Sequence, residues 1–303
     1  MFANGLIRHA RVRSLGIGAA LLVASLAVMP GQFVSAQNTT MAGHARKAAD
    51  SEGVKPTIVL VHGDWADASS WKGEITRLQR DGFTVVAPPN PLRGIPEDAG
   101  YIRNYLHTIV APIVLVAHSY GGAVITNAAT GTANVKALVF VDAFVPKQDE
   151  TLVQLLSLAP QSCLAGSAVD PTKLFNFVQD PGLPTGDLDA YLKVEATSLY
   201  PGFATCFANG LSPSQAAVLA ATQRGAALGQ FIDKTGVPAW VTIPSWYLIG
   251  KADRLIPPSL QRLMATRANA HISEFNAGHL GLISDPEAVV EVIQEAVDAT
   301  SQQ

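Results

Sequence analysis

Six short apolar runs alternate with helix-like stretches along the chain, and this alternation restricts the fold more than any other feature. The runs are rich in β-branched residues and almost continuously apolar, which is typical of strands buried on both faces of a parallel sheet. They lie at Thr57 to Val61, Thr84 to Ala87, Ile113 to Ala117, Ala137 to Val141, Ser245 to Ile249 and His271 to Phe275. The sequence therefore predicts an α/β fold with a six-stranded, mostly parallel sheet flanked by helices.

The helices between these strands are predicted at Ser69 to Arg80, Asp98 to Thr108, Gly121 to Thr130, Pro258 to Arg267 and Pro286 to Asp298. The alternation stops between about residues 147 and 235, where the pattern favours helices among Pro- and Gly-rich turns. Helix candidates there are Gln148 to Leu158, Pro171 to Gln179, Leu188 to Tyr200 and Ser212 to Gly225. We therefore expect a mainly helical cap after the fourth strand. Its aromatic residues are expected to form its own core, with only a minority touching a ligand: Phe175, Phe177, Tyr191, Tyr200, Phe203 and Phe207.

The N-terminus has the pattern of a secretory signal peptide over residues 1–36. Three arginines precede the apolar stretch Leu15 to Met29, and Val34-Ser35-Ala36 provides a small-residue cleavage site. An uncleaved anchor is the alternative, but this stretch is shorter than the roughly 20 residues a span needs. Residues 37–55 are predicted to be a flexible leader, and residues 56–303 the folded domain. The protein is therefore expected to be secreted or periplasmic, without a stable membrane anchor.

Charge and cysteine content limit the partners that the chain can have. Loss of Arg8, Arg11 and Arg13 with the signal peptide takes the formal net charge from −3 to −6. An acidic surface without basic clusters gives no reason to expect nucleic acid as a partner. In an oxidising compartment the two cysteines, Cys163 and Cys206, can form a disulfide; two buried free thiols are the alternative.

A serine stands on a predicted strand-to-helix turn in Ala117-His118-Ser119-Tyr120-Gly121. This is the layout of a nucleophile elbow, although Ala117 replaces the usual leading glycine. Asp253 and His279 follow the fifth and sixth predicted strands, so all three residues should meet at the carboxyl edge of the sheet. We predict Ser119 as nucleophile, His279 as general base and then acid, and Asp253 as the orienting acid. Asp142, directly after the fourth strand, is the rival for the acid.

An acyl transfer also needs donors for the oxyanion. The elbow offers the backbone N–H of Tyr120, and the turn after the first strand offers that of Asp64, with Trp65 as the fallback. His62 and His118 are expected to fix loops. His62 and Asp64 lack further ligands at sensible spacing, so neither a metal site nor a cofactor is predicted.

These motifs resemble the α/β-hydrolase superfamily, and within it the small bacterial hydrolases related to plant methylesterases and hydroxynitrile lyases. The resemblance covers about residues 56–300 and rests on Val59 to Gly63, Ala66 to Trp71, Val116 to Val124, Leu248 to Asp253 and Gly278-His279. It implies an α/β-hydrolase fold and a Ser-His-Asp triad. The chain departs from this resemblance at two positions. Asp64 stands where such enzymes often carry a small or apolar residue. Leu280 replaces the lysine that in those lyases would stabilise cyanide, and this argues against cyanohydrin cleavage.

The sequence predicts an exported serine esterase that cleaves small or medium carboxylic esters, or lactones, through an acyl-enzyme. Two other functions stay open: a cofactor-free perhydrolase related to haloperoxidases, and a slow-turnover ligand-binding protein with a retained triad. The oligomeric state and the acyl and alcohol groups are not readable from the motifs.

Overall fold

Nine strands and nine helices lie in the part of the chain that the computed structural model describes, namely residues 54–165, 170–182, 186–196 and 202–301. The strands are β1 Thr57–Val61, β2 Thr84–Val86, β3 Ile113–His118, β4 Val135–Val141, β5 Phe175–Val178, β6 Asp189–Leu192, β7 Ala226–Ala227, β8 Ser245–Gly250 and β9 His271–Phe275. The helices are α1 Lys72–Arg80, α2 Ile95–Leu106, α3 Tyr120–Ala128, α4 Leu152–Ser157, α5 Phe203–Cys206, α6 Pro213–Thr222, α7 Pro258–Arg267, α8 Gly281–Ser284 and α9 Pro286–Thr300.

The main sheet has six strands in the order β2-β1-β3-β4-β8-β9, and every neighbouring pair is parallel. All residues of β1, β3 and β8 are buried, which explains their continuous apolar sequence. The predicted six-stranded parallel sheet with flanking helices is confirmed. The chain leaves β1 toward β2 and then crosses to β3 on its other side, so the sheet has a switch point between β1 and β3. Ligand sites of open α/β sheets lie outside the carboxyl ends of the strands at such points.

Helix ends follow side-chain caps in the sequence. The Asp285 side chain accepts the Ala288 N–H, Pro286 occupies the first position of α9, and the apolar face of that helix is buried. Helix α4 starts at Leu152, later than the predicted Gln148, because Thr151 and Gln154 form a capping box there.

The insertion between β4 and β8 contains α4, α5, α6 and a three-stranded antiparallel sheet, β5-β6-β7. The helix predictions over 171–179 and 188–200 are therefore wrong where the residues are described, since β5 and β6 occupy them. Burial in β5 alternates between inward Phe175 and outward Asn176, which is the period of two of a strand and not the period of a helix.

The predicted signal peptide lies outside the described residues, as do the leader up to residue 53 and Tyr200 of the cap. Within the described ranges, no helix combines the length and apolar character that a membrane crossing requires.

Candidate active site

The strand-to-helix turn after β3 holds Ser119 in a strained conformation. Its φ is 54° and its ψ −126°, values that a residue with a Cβ rarely adopts. Three backbone hydrogen bonds keep it there: the Ser119 N–H donates to the Val141 carbonyl, and the Ser119 carbonyl accepts from Gly122 and Phe144. The turn thus presents the hydroxyl at the carboxyl edge of the sheet, at the switch point.

Gly63 allows the turn after β1 to approach Ser119 closely. A Cβ on Gly63 would lie 2.6 Å from the Ser119 Cβ and 2.9 Å from the His118 carbonyl oxygen, closer than real Cβ atoms come. Only glycine therefore fits, and its small size brings the backbone of Asp64 to the same edge as the hydroxyl.

The structure brings Ser119, His279 and Asp253 into one hydrogen-bonded chain. Nε2 of His279 lies 2.9 Å from Oγ of Ser119, and Nδ1 lies 2.8 Å from Oδ2 of Asp253. All three side chains are buried. A neutral imidazole that donates Nδ1–H to the carboxylate leaves Nε2 free to accept the serine proton.

Asp253 is held by more than the histidine. Its Oδ1 accepts the N–H groups of Leu255 and Ile256 at 2.8 and 3.0 Å. Its Oδ2 also accepts from Nε2 of Gln261 at 2.8 Å. These hydrogen bonds pair both oxygens of the buried carboxyl group and fix its orientation toward His279.

Asp142, the rival acid, lies beside this group but does not bind His279. Its Oδ1 accepts the Gly250 N–H at 2.7 Å, and its Oδ2 has no hydrogen-bond partner. Burial and then the negative charge of Asp253 raise the pKa of Asp142 well above its ordinary value. The carboxyl group bonded to the histidine is that of Asp253.

His118 and His62 bind backbone, as expected of residues that fix loops. Nε2 of His118 donates to the His279 carbonyl at 2.8 Å. In His62, Nδ1 donates to the Gly63 carbonyl at 2.9 Å and Nε2 accepts the Asn90 N–H at 3.0 Å. Burial lowers the pKa of His62 to about 4 and that of His118 well below its ordinary value, so both rings are neutral.

The two predicted oxyanion donors belong to the segments that meet at Ser119: Tyr120 follows it in the elbow, and Asp64 follows Gly63 in the turn that packs against it. Among the described residues, no backbone carbonyl accepts the N–H of Tyr120 or of Asp64. The Asp64 side chain is buried, and burial, to which the charge of Asp98 adds, raises its pKa to about 8. Its Oδ1 lacks a partner, while the Gln230 side chain faces the carboxyl group. Asp64 therefore carries a proton at neutral pH and does not place a negative charge beside the oxyanion position.

Aromatic side chains cover the site. The Trp65 ring stacks on Phe175 and Phe231, with centroids 5.8 and 6.5 Å apart, and meets Phe207 edge-on at 5.7 Å. Phe207 in turn lies 5.3 Å from the His279 ring. Ser119 itself is only 2% exposed.

A disulfide ties the cap together beside this aromatic cover. Cys163 and Cys206 are bonded, with their Cα atoms 5.7 Å apart. The Cys163 N–H donates to the Arg254 carbonyl, next to Asp253 in sequence, and Cys206 precedes Phe207. The bridge therefore connects the segment over His279 to the loop of the acid.

Sequence reasoning missed Gln261 and Gln230, whose side-chain amides face the carboxyl groups of Asp253 and Asp64. Neither belongs to a motif, and only the packing of the elements that carry them brings them to Asp253 and Asp64. Within the described ranges, no group of three or more His, Cys, Asp or Glu side chains could hold a metal ion.

Comparisons with known proteins identify the family and agree with the fold. A model of the alpha/beta hydrolase family matches residues 58–292. A carbendazim hydrolyzing esterase of Nocardioides sp. is 32% identical over 155 residues, which are 41% of this chain and 63% of that esterase. A probable hydrolase of Phoma sp. is 24% identical, with 80% of this chain and 98% of the relative covered. The crystal structure of polyneuridine aldehyde esterase superposes with a TM-score of 0.65 at 19% identity, covering 80% of this chain and 98% of that one.

Proposed function

Since the chain belongs to the alpha/beta hydrolase family, we propose that it is a serine hydrolase that cleaves carboxylic esters through an acyl-enzyme. The observation that carries the proposal is the chain of hydrogen bonds from Ser119 through His279 to Asp253, at 2.9 and 2.8 Å. The names of the relatives, which include two esterases, support ester bonds as the target.

In the proposed reaction, Nε2 of His279 takes the proton of the Ser119 hydroxyl as Oγ attacks the ester carbonyl carbon. The carbonyl oxygen becomes an oxyanion between the N–H groups of Tyr120 and Asp64. The C–O bond then breaks while His279 returns the proton to the leaving alcohol. Water, activated by the same imidazole, attacks the acyl-serine and releases the carboxylic acid. Asp253 keeps the imidazole in the required tautomer throughout.

The cap supports an ester with an apolar group. A cavity of about 400 Å³ is lined almost wholly by apolar side chains, among them Leu156, Leu164, Phe175, Leu228, Phe231 and Ile232. Phe175 and Phe231 also stack on Trp65, the residue after Asp64. An uncharged acyl or alcohol chain suits such a lining, whereas a charged one would be left unpaired.

Hydrolysis also suits the residue after the histidine. Leu280 is buried and apolar, so it offers no cation for a departing cyanide.

We further propose that the protein is exported, which the pattern of residues 1–36 and the Cys163–Cys206 bond support.

The test compares the purified mature protein with Ser119→Ala on p-nitrophenyl acetate and butyrate. We expect kcat to fall roughly 10⁴-fold or more in the variant. A fluorophosphonate probe should label the unchanged protein and Ser214→Ala, which loses an exposed serine, but not Ser119→Ala. Equal esterase rates in the protein and Ser119→Ala, or equal labelling of the two, would reject the proposal.

A further inference from the structure

Two buried oxygens near the acid of the site lack a donor. Oδ2 of Asp142 and Oε1 of Gln261 have no hydrogen-bond partner, although both residues are 0% exposed. Buried oxygens of this kind are rare because an unpaired polar atom costs on the order of 1–3 kcal/mol. Each therefore calls for a physical explanation.

The orientation of the Gln261 amide follows from its other contacts. Its Nε2 donates to Oδ2 of Asp253 and to the Ile256 carbonyl, both at 2.8 Å. Turning the amide over would place an oxygen against both of these acceptors, so the nitrogen must face them. The oxygen Oε1 is then left on the side chain's other edge.

The Asp142 carboxyl group faces Gln261 and is tightly enclosed. A Cβ on Gly250 would lie 2.4 Å from its Oδ1, and one on Gly281 would lie 2.8 Å from its Oδ2. The Gly281 N–H also faces this carboxyl, but Oδ2 accepts no hydrogen bond. Among the described residues, the titratable groups that face Asp142 are the Asp253 carboxyl group and the Tyr247 hydroxyl. The Tyr247 hydroxyl is already bonded to the backbone of Ala143.

We propose that Asp142 is a positioning residue that keeps its proton on Oδ2 and donates it in a hydrogen bond to Oε1 of Gln261. The chain of contacts then runs from Asp142 through Gln261, Asp253 and His279 to Ser119. This inference rests on the proposed function, since it assigns a part in the same reaction. It satisfies both unpaired oxygens with a single proton.

Charge balance gives the same answer. An ionised Asp142 would place a second carboxylate beside Asp253 in a buried site, and among the described residues no Lys or Arg forms an ion pair with it. A neutral Asp142 leaves Asp253 as the one negative charge in contact with His279. It also holds Gln261 so that its amide fixes Oδ2 of Asp253.

The experiment compares Asp142→Asn with Asp142→Ala. Asparagine can accept from Gly250 and donate to Oε1 of Gln261, so we expect kcat within about threefold of the unchanged protein and the same midpoint on the acid limb of the pH–kcat profile. Alanine cannot donate, and a less firmly held Asp253 should lower kcat on the order of 10²-fold with little change in KM. A loss in Asp142→Asn equal to that in Asp142→Ala, or a shifted acid limb in Asp142→Asn, would show that the ionised form is needed and overturn the proposal. An unchanged kcat in a folded Asp142→Ala would overturn it too.

Infrared spectroscopy separates this inference from the proposed function. The difference spectrum between the unchanged protein and Asp142→Asn at pH 7 should contain the C=O stretch of a protonated carboxyl group. That band does not depend on ester turnover, so it persists even if Ser119→Ala shows that the protein is no esterase. A carboxylate band in its place would refute the protonated Asp142 whatever the kinetics of the variants.

Discussion

The stability of Asp64→Asn relative to the unchanged protein should increase as the pH rises. The folded protein holds the Asp64 proton up to a pH of about 8, whereas an unfolded aspartate loses it near its ordinary value of 3.8. Between these values the folded state binds one proton more than the unfolded state, so stability falls with rising pH. Above about pH 8 both states are ionised and the loss is complete. Asparagine has no proton to lose, so Asp64→Asn escapes this cost.

The gap between a pKa of about 8 and one of 3.8 corresponds to about 6 kcal/mol at ~1.4 kcal/mol per pH unit. The carboxyl group is 3% exposed, so solvent does little to screen it. The free energy of unfolding of Asp64→Asn minus that of the unchanged protein should therefore increase by ~1.4 kcal/mol per pH unit between pH 5 and pH 7.

Urea unfolding at pH 5, 6 and 7, extrapolated linearly to water, measures this difference. Glu74→Gln is the matched control, because Glu74 on α1 is buried, has no partner for either oxygen and has a pKa of about 8. The free energy of unfolding of Glu74→Gln minus that of the unchanged protein should increase with pH in the same way. A difference for Asp64→Asn that stays flat from pH 5 to pH 7 would refute the protonated state of Asp64.

The same substitution should change the alkaline limb of the pH–rate profile. Above about pH 8, ionised Asp64 places a negative charge beside the proposed oxyanion donors, and kcat should fall. Asp64→Asn should hold its kcat there, while Glu74→Gln should lose activity like the unchanged protein. Alkaline limbs that coincide in Asp64→Asn and Glu74→Gln would show that the charge of Asp64 does not act on the oxyanion site.

Two further predictions concern the cap. Cys163→Ser with Cys206→Ser should lower the free energy of unfolding by about 4 kcal/mol, because the bridge closes a loop with a sequence separation of 43; urea unfolding with and without reductant checks this, and a reductant effect that persists in the double variant would contradict it. Leu228→Trp, which fills the apolar cavity, should lower kcat/KM for p-nitrophenyl octanoate about tenfold more than for the acetate. Val241→Trp, at an exposed position, is the control, and an unchanged octanoate-to-acetate ratio in Leu228→Trp would exclude the cavity from substrate binding.

The sequence predicted the sheet well, because each strand of its centre carries a continuous buried apolar run. The family match to residues 58–292 confirms the predicted relationship to α/β-hydrolases. The same reasoning placed Ser119, His279 and Asp253 at one edge, since parallel strands end together, and the structure brings these side chains within hydrogen-bond distance. The secondary structure of the cap was predicted less well. The run Phe175 to Val178 is too short to distinguish the period of two of a strand from the apolar face of a helix.

The states of Asp64 and Asp142 could not be predicted from the sequence either. A carboxyl group in an oxyanion turn repels the oxyanion only when it is ionised, and its burial decides that state. Its protonation depends on its burial and on Gln230 and Asp98, which come from distant parts of the chain. The choice between Asp142 and Asp253 depended in the same way on which carboxyl group the fold brings to Nδ1 of His279.

Burial acts in the same direction on three carboxyl groups around the elbow, and this has a consequence for catalysis. Burial raises the pKa values of Asp64, Asp98 and Asp142. Asp253 accepts four hydrogen bonds, from Leu255, Ile256, Gln261 and His279. An oxyanion gains from donors only when no carboxylate beside it competes, while an imidazolium needs one carboxylate in contact. Neutral Asp64 meets the first requirement, and Asp253, bonded to His279, supplies the carboxyl group for the second. The placement of amides and backbone N–H groups around each acid, rather than the number of acids, therefore decides the part that each plays in the proposed site.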